Sequence, residues 1–212
     1  MTERLFFALW PAEAQRLALA RVQAGLTGSM NPAGRPAVDA ANRDAIAAGQ
    51  IQTHPAGPQF HGRLTHPEDI HLTLVFLGAI SAEQRRCAEA AAGRVRSPVF
   101  ELTLDRVGSF PRARVVWCGT DRAPAPLDHL VTSLRDELRD CGVPLDPRPF
   151  APHATLARNA RPLTARPLDR PIHWPVEAFV LAYGREGPPP RYRILRCWPL
   201  VLPWPCGASG LP

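Results

Sequence analysis

The sequence predicts an α+β fold that contains an internal duplication. Strand and helix patterns alternate along the chain without a regular βαβ repeat, which argues against a parallel α/β sheet. A strand, a helix and a strand that opens with His-x-Thr-Leu occur once around His71 and again around His153. The 212 residues are enough for one large domain or two small lobes. We therefore expect two similar halves within one chain.

The first half opens with a short, aromatic-rich strand. Residues 4–10, "RLFFALW", end at Pro11, and a proline there suits the first turn of a helix. Residues 69–78, "DIHLTLVFLG", form the next strand pattern. Ser81 and Gln84 then have the spacing of a capping box, which predicts that a helix begins at this point.

The second part of the chain places one helix among several strand patterns. Residues 126–141 carry leucine and valine along one helical stripe, and Gly142 closes the helix. The Pro-containing segment after Phe110 favours a hairpin between the strand patterns at 99–110 and 113–119. The strand patterns lie at 99–110, 113–119, 153–158, 177–184 and 192–200.

Residues 28–66 differ in composition from the rest of the chain. They are rich in Gly, Pro, Ala and Asn and hold few large apolar side chains, as in a flexible surface insertion. We expect one bilobal domain over residues 1–203 that carries this insertion, followed by a loose tail over 204–212.

The chain is basic, with a net charge of +6, and all 25 basic side chains are arginine. Guanidinium groups suit phosphate ligands, although surplus positive charge does not by itself establish nucleic-acid binding. The five cysteines are an odd number without a C-x-x-C pair, so neither a disulfide framework nor a zinc knuckle is indicated. The apolar run before Pro11 is too short for a signal peptide or a membrane span. We expect a cytoplasmic protein that does not bind membranes.

The repeated motif places polar side chains on one face of each strand. Because side chains alternate along a strand, His71 and Thr73 share one face, as do His153 and Thr155. The intervening apolar residues face the core. Buried polar groups without partners are costly, so the His/Thr face must be wet or bind a ligand.

Two opposed histidines suit in-line displacement at phosphorus. A neutral imidazole removes a proton from the attacking hydroxyl or water, and a protonated one supplies a proton to the leaving oxygen. Threonine hydroxyls donate to the non-bridging oxygens as charge develops there. Nearby arginines complete a site that needs no metal or other cofactor. One such tetrad is a weak signal, but on the order of 0.05 chance matches are expected in a chain of this composition, so two argue for function.

At these motifs the sequence resembles the 2H phosphoesterase superfamily, and the flanking sequence is closer to its RNA 2',3'-cyclic phosphodiesterase (2'-5' RNA ligase) branch. The matching stretches are "RLFFAL", "DIHLTLVFLG", "FELTLDRVGSFPRARVVWCG", "RPFAPHATLAR" and "YRILRCWPL". The resemblance implies a pseudo-symmetric fold with two antiparallel sheets facing a central cleft and helices outside. It also implies that His71 is the proton donor and His153 the proton acceptor. The longer insertion before His71 departs from the family pattern and leaves the substrate range open.

The implied activity is metal-independent hydrolysis of 2',3'-cyclic phosphate ends of RNA to 2'-phosphomonoesters, reversible as 2'-5' ligation. RNA with such an end is then the partner, and we expect a monomer with no obligatory protein partner. One alternative is a sister 2H enzyme acting on a small cyclic nucleotide or an ADP-ribose cyclic phosphate. Another is a non-catalytic RNA-binding module, against which the presence of both histidines and both threonines argues.

Substrate-binding candidates surround the second motif. Arg148 and Arg158 are candidates for a phosphate clamp, and Arg148 is favoured because "RPF" resembles the family's approach to the second motif. Phe150, in the same stretch, is a further substrate-binding candidate. Arg158 follows His153 by five residues, so strand alternation points it away from the histidine unless a bulge or the strand's end intervenes. Tyr192 is the candidate that stacks on a base. Phe6, Phe7 and Trp198 share that chemistry, but we expect core packing for at least three of these four aromatic residues. His54, His61 and His66 lie in the insertion. We expect no metal site there, because His61, His66 and His71 are spaced by five, which fits neither one helical face nor one strand face.

Overall fold

The computed structural model of the protein describes residues 4–27 and 60–201. Helices in these ranges are α1 (Glu13–Leu26), α2 (Ala82–Arg94) and α3 (Ala125–Leu138), and short 3-10 turns span Pro67–Asp69 and Arg139–Cys141. The strands are β1 (Arg4–Leu9), β2 (Arg63–Leu64), β3 (Leu72–Gly78), β4 (Phe100–Phe110), β5 (Val115–Gly119), β6 (His153–Arg158), β7 (Arg166–Val176), β8 (Ala178–Gly184) and β9 (Tyr192–Pro199).

The strands form one sheet whose two halves mirror each other. Its order is β7-β4-β5-β6-β3-β1-β8-β9, and β2 pairs separately with β6. One half is β3-β1-β8-β9 and the other is β6-β5-β4-β7. They meet where Leu72 of β3 pairs with Ala154 of β6. The α+β class and the duplication are confirmed, and the two expected sheets are the two halves of one continuous sheet.

The duplication follows the order of elements that the sequence suggests. In the first half, β1 leads through α1 to β3, and β1 pairs antiparallel with β3. In the second half, β5 leads through α3 to β6, and these strands also pair antiparallel. Each His-x-Thr motif therefore lies at the start of the strand that borders the junction between the halves.

The helices cover the apolar face of the sheet, here called the helix face. Leu72 and Leu156 are fully buried there, in one core with Leu19 of α1 and Ala88 of α2. Ser81 and Gln84 form the expected capping box at the start of α2. None of the helices in the described part of the chain is long and apolar enough to cross a membrane. The predicted stripe of α3 is buried in full, namely Leu127, Leu130, Val131, Leu134 and Leu138.

Strand β7 does not appear among the sequence predictions. It contains Pro167, Pro171 and Pro175, which lack a backbone N–H and so weaken a strand pattern. Among residues 4–27 and 60–201, the sheet places β7 at its edge, where β4 is its one pairing partner. An edge strand tolerates prolines because one side of its backbone needs no ladder partner.

The end of the expected insertion belongs to the sheet. In β2, Arg63 and Leu64 pair with Arg158 and Ala157 of β6. The Gln23 amide donates to the carbonyls of Thr65 and Leu156, at 2.8 and 2.7 Å, and so joins α1 to both strands. Residues 28–59 and 204–212 lie outside the described residues, so the flexible insertion and the loose tail stay predictions there.

A disulfide joins Cys87 of α2 to Cys141 in the turn after α3. The cysteine pattern alone gives no indication of this bond. The two residues are 54 positions apart, and it is the packing of α2 against α3 that brings them together. Cys118 is buried and free, Cys197 is exposed and free, and Cys206 lies outside the described residues.

Candidate active site

Both motifs place their polar side chains on the face of the sheet opposite the helices, here called the cleft face. Antiparallel pairing of Leu72 with Ala154 sets His71 opposite Thr155 and Thr73 opposite His153. The four side chains form a square across the junction of the two halves. The predicted sharing of faces is confirmed, because the residues between them are buried against the helices.

The two histidines make the same backbone contact. Nδ1 of His71 lies 2.7 Å from the carbonyl oxygen of Asp69, and Nδ1 of His153 lies 2.7 Å from that of Ala151. A carbonyl only accepts, so each Nδ1 carries the hydrogen and donates. Each ring therefore keeps Nε2 free for proton transfer.

Aromatic rings hold the two imidazoles unequally. His71 stacks on Phe6 and Trp10, with ring centroids 4.7 and 5.4 Å apart, and Tyr192 meets its ring edge-on at 4.8 Å. The contact described for His153 is Phe110, edge-on at 4.9 Å. His71 thus sits in a nearly continuous aromatic wall that fixes its ring plane and limits water around it.

Burial makes both histidines harder to protonate. Burial lowers the pKa of His71 to about 4. The hydrogen bond to the Asp69 carbonyl raises this pKa in part, and the positive charge of Arg158 lowers it further. Burial also lowers the pKa of His153, again with a contribution from Arg158. Near neutral pH the ligand-free site therefore holds two uncharged imidazoles beside a guanidinium, an arrangement that favours an anionic ligand.

A β-bulge brings Arg158 into the site. On β6, Ala157 pairs with Val116 while Thr155 pairs with Trp117, so Leu156 is the extra residue. Leu156 and Ala157 are both buried, and the alternation resumes with Arg158 on the cleft face. The alternation rule alone would have turned this side chain away from His153.

The same irregularity in β3 brings Phe76 into the cleft. Val75 pairs with Phe7 while Thr73 pairs with Ala8, so Leu74 is the extra residue of that bulge. Phe76 is 50% exposed and lines the same cavity as His71 and Thr73. Sequence reasoning missed this residue, although its offset of five from the histidine equals that of Arg158.

The other predicted binding residues divide into two groups. Arg148 is an exposed side chain whose Nε lies 2.9 Å from each carboxylate oxygen of Asp146, and Phe150 packs against the edge of the core. Neither lines the described cavities. Tyr192 does line the site. Phe7 and Trp198 pack in the main core, while Phe6 is buried in a smaller apolar cluster on the cleft face, where it stacks on His71 and lines the cavity.

A cavity of about 1190 Å³ opens over the first motif. His153 and Thr155 adjoin it across the pairing of β3 with β6. Within residues 4–27 and 60–201, no group of three or more His, Cys, Asp or Glu side chains is placed to hold a metal ion. His66 instead accepts from the backbone N–H of Glu68, and His54 lies outside these ranges. The arginines that line the cavity are Arg4, Arg85, Arg158, Arg185 and Arg191.

Sequence comparison relates the chain to bacterial phosphodiesterases. The sequence model of the 2'-5' RNA ligase superfamily matches residues 39–188. The RNA 2',3'-cyclic phosphodiesterase of Escherichia coli (strain K12) is 39% identical over 150 residues, which cover 68% of this chain and 83% of that protein. The protein of the same name from Thermus thermophilus is 30% identical over 167 residues, covering 72% of this chain and 81% of that protein.

Solved structures show the same architecture. The crystal structure of E. coli LigT complexed with 3'-AMP matches with a TM-score of 0.74 and 31% identity over 94% of this chain and 99% of that chain. TT0787 of Thermus thermophilus matches with a TM-score of 0.68 and 25% identity over 93% and 97% of the two chains. The likeness therefore extends over nearly all of both chains.

Proposed function

The chain belongs to the 2'-5' RNA ligase superfamily, and from this premise we propose that it is an RNA 2',3'-cyclic phosphodiesterase. It hydrolyses the cyclic phosphate at an RNA 3' end and leaves a 2'-phosphomonoester. The observation that carries the proposal is the square of His71, Thr73, His153 and Thr155, in which each histidine has Nδ1 bound to the backbone and Nε2 free.

The square fits an in-line displacement at phosphorus. Nε2 of His153 removes a proton from water as the water oxygen bonds to phosphorus. The bond from phosphorus to the ribose 3' oxygen breaks, and Nε2 of His71 supplies that oxygen with a proton. Thr73 and Thr155 donate to the non-bridging oxygens, and the guanidinium of Arg158 balances their negative charge.

Substrate binding supplies the charge that His71 needs to hold a proton. In the ligand-free protein burial lowers the pKa of His71 to about 4. The cyclic phosphate carries one negative charge, and an anion beside an imidazole favours its protonated form. The site therefore becomes competent as the substrate enters, with His71 charged and His153 neutral.

The half-exposed ring of Phe76 gives the cleft a surface for the terminal base. A base stacked on an aromatic side chain gains about 1–3 kcal/mol and needs no particular sequence. Tyr192 meets the ring of His71 edge-on and lines the same cavity. Stacking of this kind suits a nucleotide end of any sequence.

The same residues can join RNA ends. With an RNA 5'-hydroxyl in place of water, His153 removes the proton of that hydroxyl as its oxygen bonds to phosphorus, and His71 protonates the 3' oxygen as it leaves. The product is a 2'-5' linkage, and each histidine keeps the role that it has in hydrolysis.

The decisive experiment uses an RNA that ends in a 2',3'-cyclic phosphate, incubated with the protein in EDTA. We expect turnover to a 2'-phosphate, identified against synthetic 2'- and 3'-phosphate standards. Arg170→Ala, on the edge strand β7, serves as a matched control, since that side chain lies outside the cavities and far along the sheet from both motifs. A 3'-phosphate product, or activity that EDTA abolishes and a divalent ion restores, would contradict the proposal.

The protein acts on RNA as a cytoplasmic monomer without an obligatory protein partner. Both motifs come from one chain, so no second copy is needed to complete the site. Sedimentation equilibrium tests the monomer. Alkylation of thiols in intact cells tests the compartment. In a reducing cytoplasm Cys87 and Cys141 are thiols that react with the alkylating agent, whereas in an oxidising compartment they stay joined by the disulfide and do not react.

A further inference from the structure

A second cavity of about 690 Å³ lies beside the first and has no part in the mechanism above. The two cavities share three wall residues, namely Arg158, Arg191 and Tyr192. The far side of the second cavity is formed by α1, by Arg63 and Leu64 of β2, and by the turn that follows β2. A ligand that fills the first cavity can therefore extend into the second without leaving the surface of the protein.

The second cavity is lined by positive charge that lacks a counter-ion. Among the described residues, no carboxylate pairs with the side chains of Arg63, Arg158 or Arg191. Nε of Arg191 is buried and has no hydrogen-bond partner. A buried N–H without a partner is costly, and an anionic oxygen is the group that removes this cost.

One carboxylate, that of Asp69, also lines this wall, so the three arginines leave a net positive charge, and Asp69 forms no ion pair with them among the described residues. Asp69 is 4% exposed, and its Oδ1 accepts from the backbone N–H groups of Arg191 and Tyr192, at 2.7 and 3.0 Å. The carbonyl of the same residue binds His71. Asp69 thus fixes the position of Arg191 relative to the catalytic histidine.

We propose that the second cavity binds the nucleotide that precedes the cyclic end of the RNA, and that Arg63 and Arg191 hold the phosphodiester between the two nucleotides. This inference rests on the proposed phosphodiesterase function. The cyclic phosphate occupies the 2' and 3' oxygens of the terminal ribose, so the RNA chain continues only from its 5' oxygen. A neighbouring cavity with unpaired guanidinium groups is where that phosphodiester fits.

The size and the lining of the second cavity suit one nucleotide. Small-ligand sites occupy about 300–1,000 Å³, and this cavity falls within that range. Leu64, which is 40% exposed, and Pro189 add apolar surface for a sugar or base edge. The enzyme should therefore prefer an RNA chain to a cyclic mononucleotide.

The test compares kcat/KM for three substrates: adenosine 2',3'-cyclic phosphate, the dinucleotide ApA with a 2',3'-cyclic phosphate, and that dinucleotide with a methylphosphonate linkage. The methylphosphonate keeps the sugar and base but removes the charge that the arginines would bind. We expect the charged dinucleotide to exceed the mononucleotide by about tenfold or more, the size of one charge-assisted hydrogen bond. The neutral dinucleotide should lose most of that advantage.

The variant Arg63→Ala locates the effect, because this side chain lines the second cavity and not the first. Its loss on the charged dinucleotide should exceed its loss on the neutral one by about tenfold. Arg170→Ala, on the edge strand β7 and away from both cavities, is the matched control. Arg63→Gln replaces Arg63→Ala if the alanine variant does not fold.

The outcomes separate the inference from the proposed function. Wild-type protein that turns over the mononucleotide and both dinucleotides equally well would overturn the second subsite and leave the phosphodiesterase function intact. Equal losses of activity by Arg63→Ala on the charged and neutral dinucleotides would also overturn the subsite alone. No turnover of any of the three substrates would overturn the proposed function and the inference together.

Discussion

Phe76 and Arg158 occupy equivalent positions in the two halves of the sheet. Each follows its motif histidine by five residues, and each returns to the cleft face because a bulge adds one residue to its strand. Both line the first cavity. The duplication thus supplies the same position twice, once with an aromatic ring that suits a base and once with a guanidinium that suits a phosphate.

Replacing Arg158 by alanine should lower kcat/KM by about 10–100-fold. The guanidinium supplies charge-assisted hydrogen bonds to the phosphate, each worth about 1.5–3 kcal/mol. Its charge also lowers the pKa of both histidines, so its loss should move the pH optimum of kcat/KM upward. Rates measured across pH for Arg158→Ala and for the control Arg170→Ala check both effects. An unchanged pH optimum would contradict the electrostatic part.

Replacing Phe76 by alanine should raise KM for a cyclic nucleotide by about 5–100-fold, because base stacking contributes about 1–3 kcal/mol. The same variant should handle ribose 2',3'-cyclic phosphate, which has no base, nearly as well as the wild type does. Phe76→Tyr keeps the ring and is the matched control. Equal losses on the two substrates would show that Phe76 supports the strand and does not stack on the base.

The pH optimum of kcat/KM should lie below 6.5. This parameter reports the free protein, where one histidine must be charged and the other neutral, so the profile is a bell. Burial lowers the pKa of both, that of His71 to about 4, so both limbs move to the acid side. The bound phosphate favours the charged imidazole, so the kcat profile should lie at higher pH than the kcat/KM profile. An optimum of kcat/KM above pH 6.5 would contradict this reasoning.

The site's polar centre can be predicted from sequence because strand alternation is a local rule. Each His-x-Thr tetrad places its histidine and its threonine on the same face of a strand, and the structure has both pairs on the cleft face. Arg158 and Phe76 escape the rule because a bulge depends on how a strand pairs with its neighbour, and one sequence does not contain that pairing. The family resemblance of "RPF" favours Arg148, while Asp146 two residues away binds this side chain at the surface.

The same distinction explains the fold. The leucine stripe of α3 and the capping box of α2 follow from periods and spacings within one element, and both are present. The edge position of β7 and the meeting of Cys87 with Cys141 depend on contacts between distant elements. The prolines of β7 argue against a strand, and the odd number of cysteines argues against a disulfide framework. Neither signal contains information about contacts between distant elements.

Removing the disulfide with Cys87→Ser should lower the free energy of unfolding by about 2–4 kcal/mol, because a closed loop restricts the unfolded chain. The bond joins residues 54 positions apart on the helix face, away from the cleft, so kcat should stay unchanged. Urea unfolding with and without a reducing agent measures the effect. Cys197→Ser, which removes an exposed free thiol, is the control. Because Cys87→Ser lacks the disulfide, the reducing agent should not change its free energy of unfolding.

The two histidines should behave as one catalytic unit. His71→Ala and His153→Ala should each lower kcat by at least about 10²-fold, the usual scale for a lost general acid or base. The double variant should be little worse than either single one, since neither residue completes the proton transfer alone. Thr73→Ala and Thr155→Ala should be milder, because each removes one donor among several.

The assigned roles are separable with a substrate whose 3' oxygen is replaced by sulfur. Sulfur leaves from phosphorus without a proton, so this substrate bypasses the general acid but still needs the base. His71→Ala should recover most of its lost rate on the sulfur substrate, and His153→Ala should not. Recovery by His153→Ala instead would exchange the two roles. Near-wild-type turnover by a folded His153→Ala protein on the oxygen substrate would remove the chemical reason for the square of His71, Thr73, His153 and Thr155.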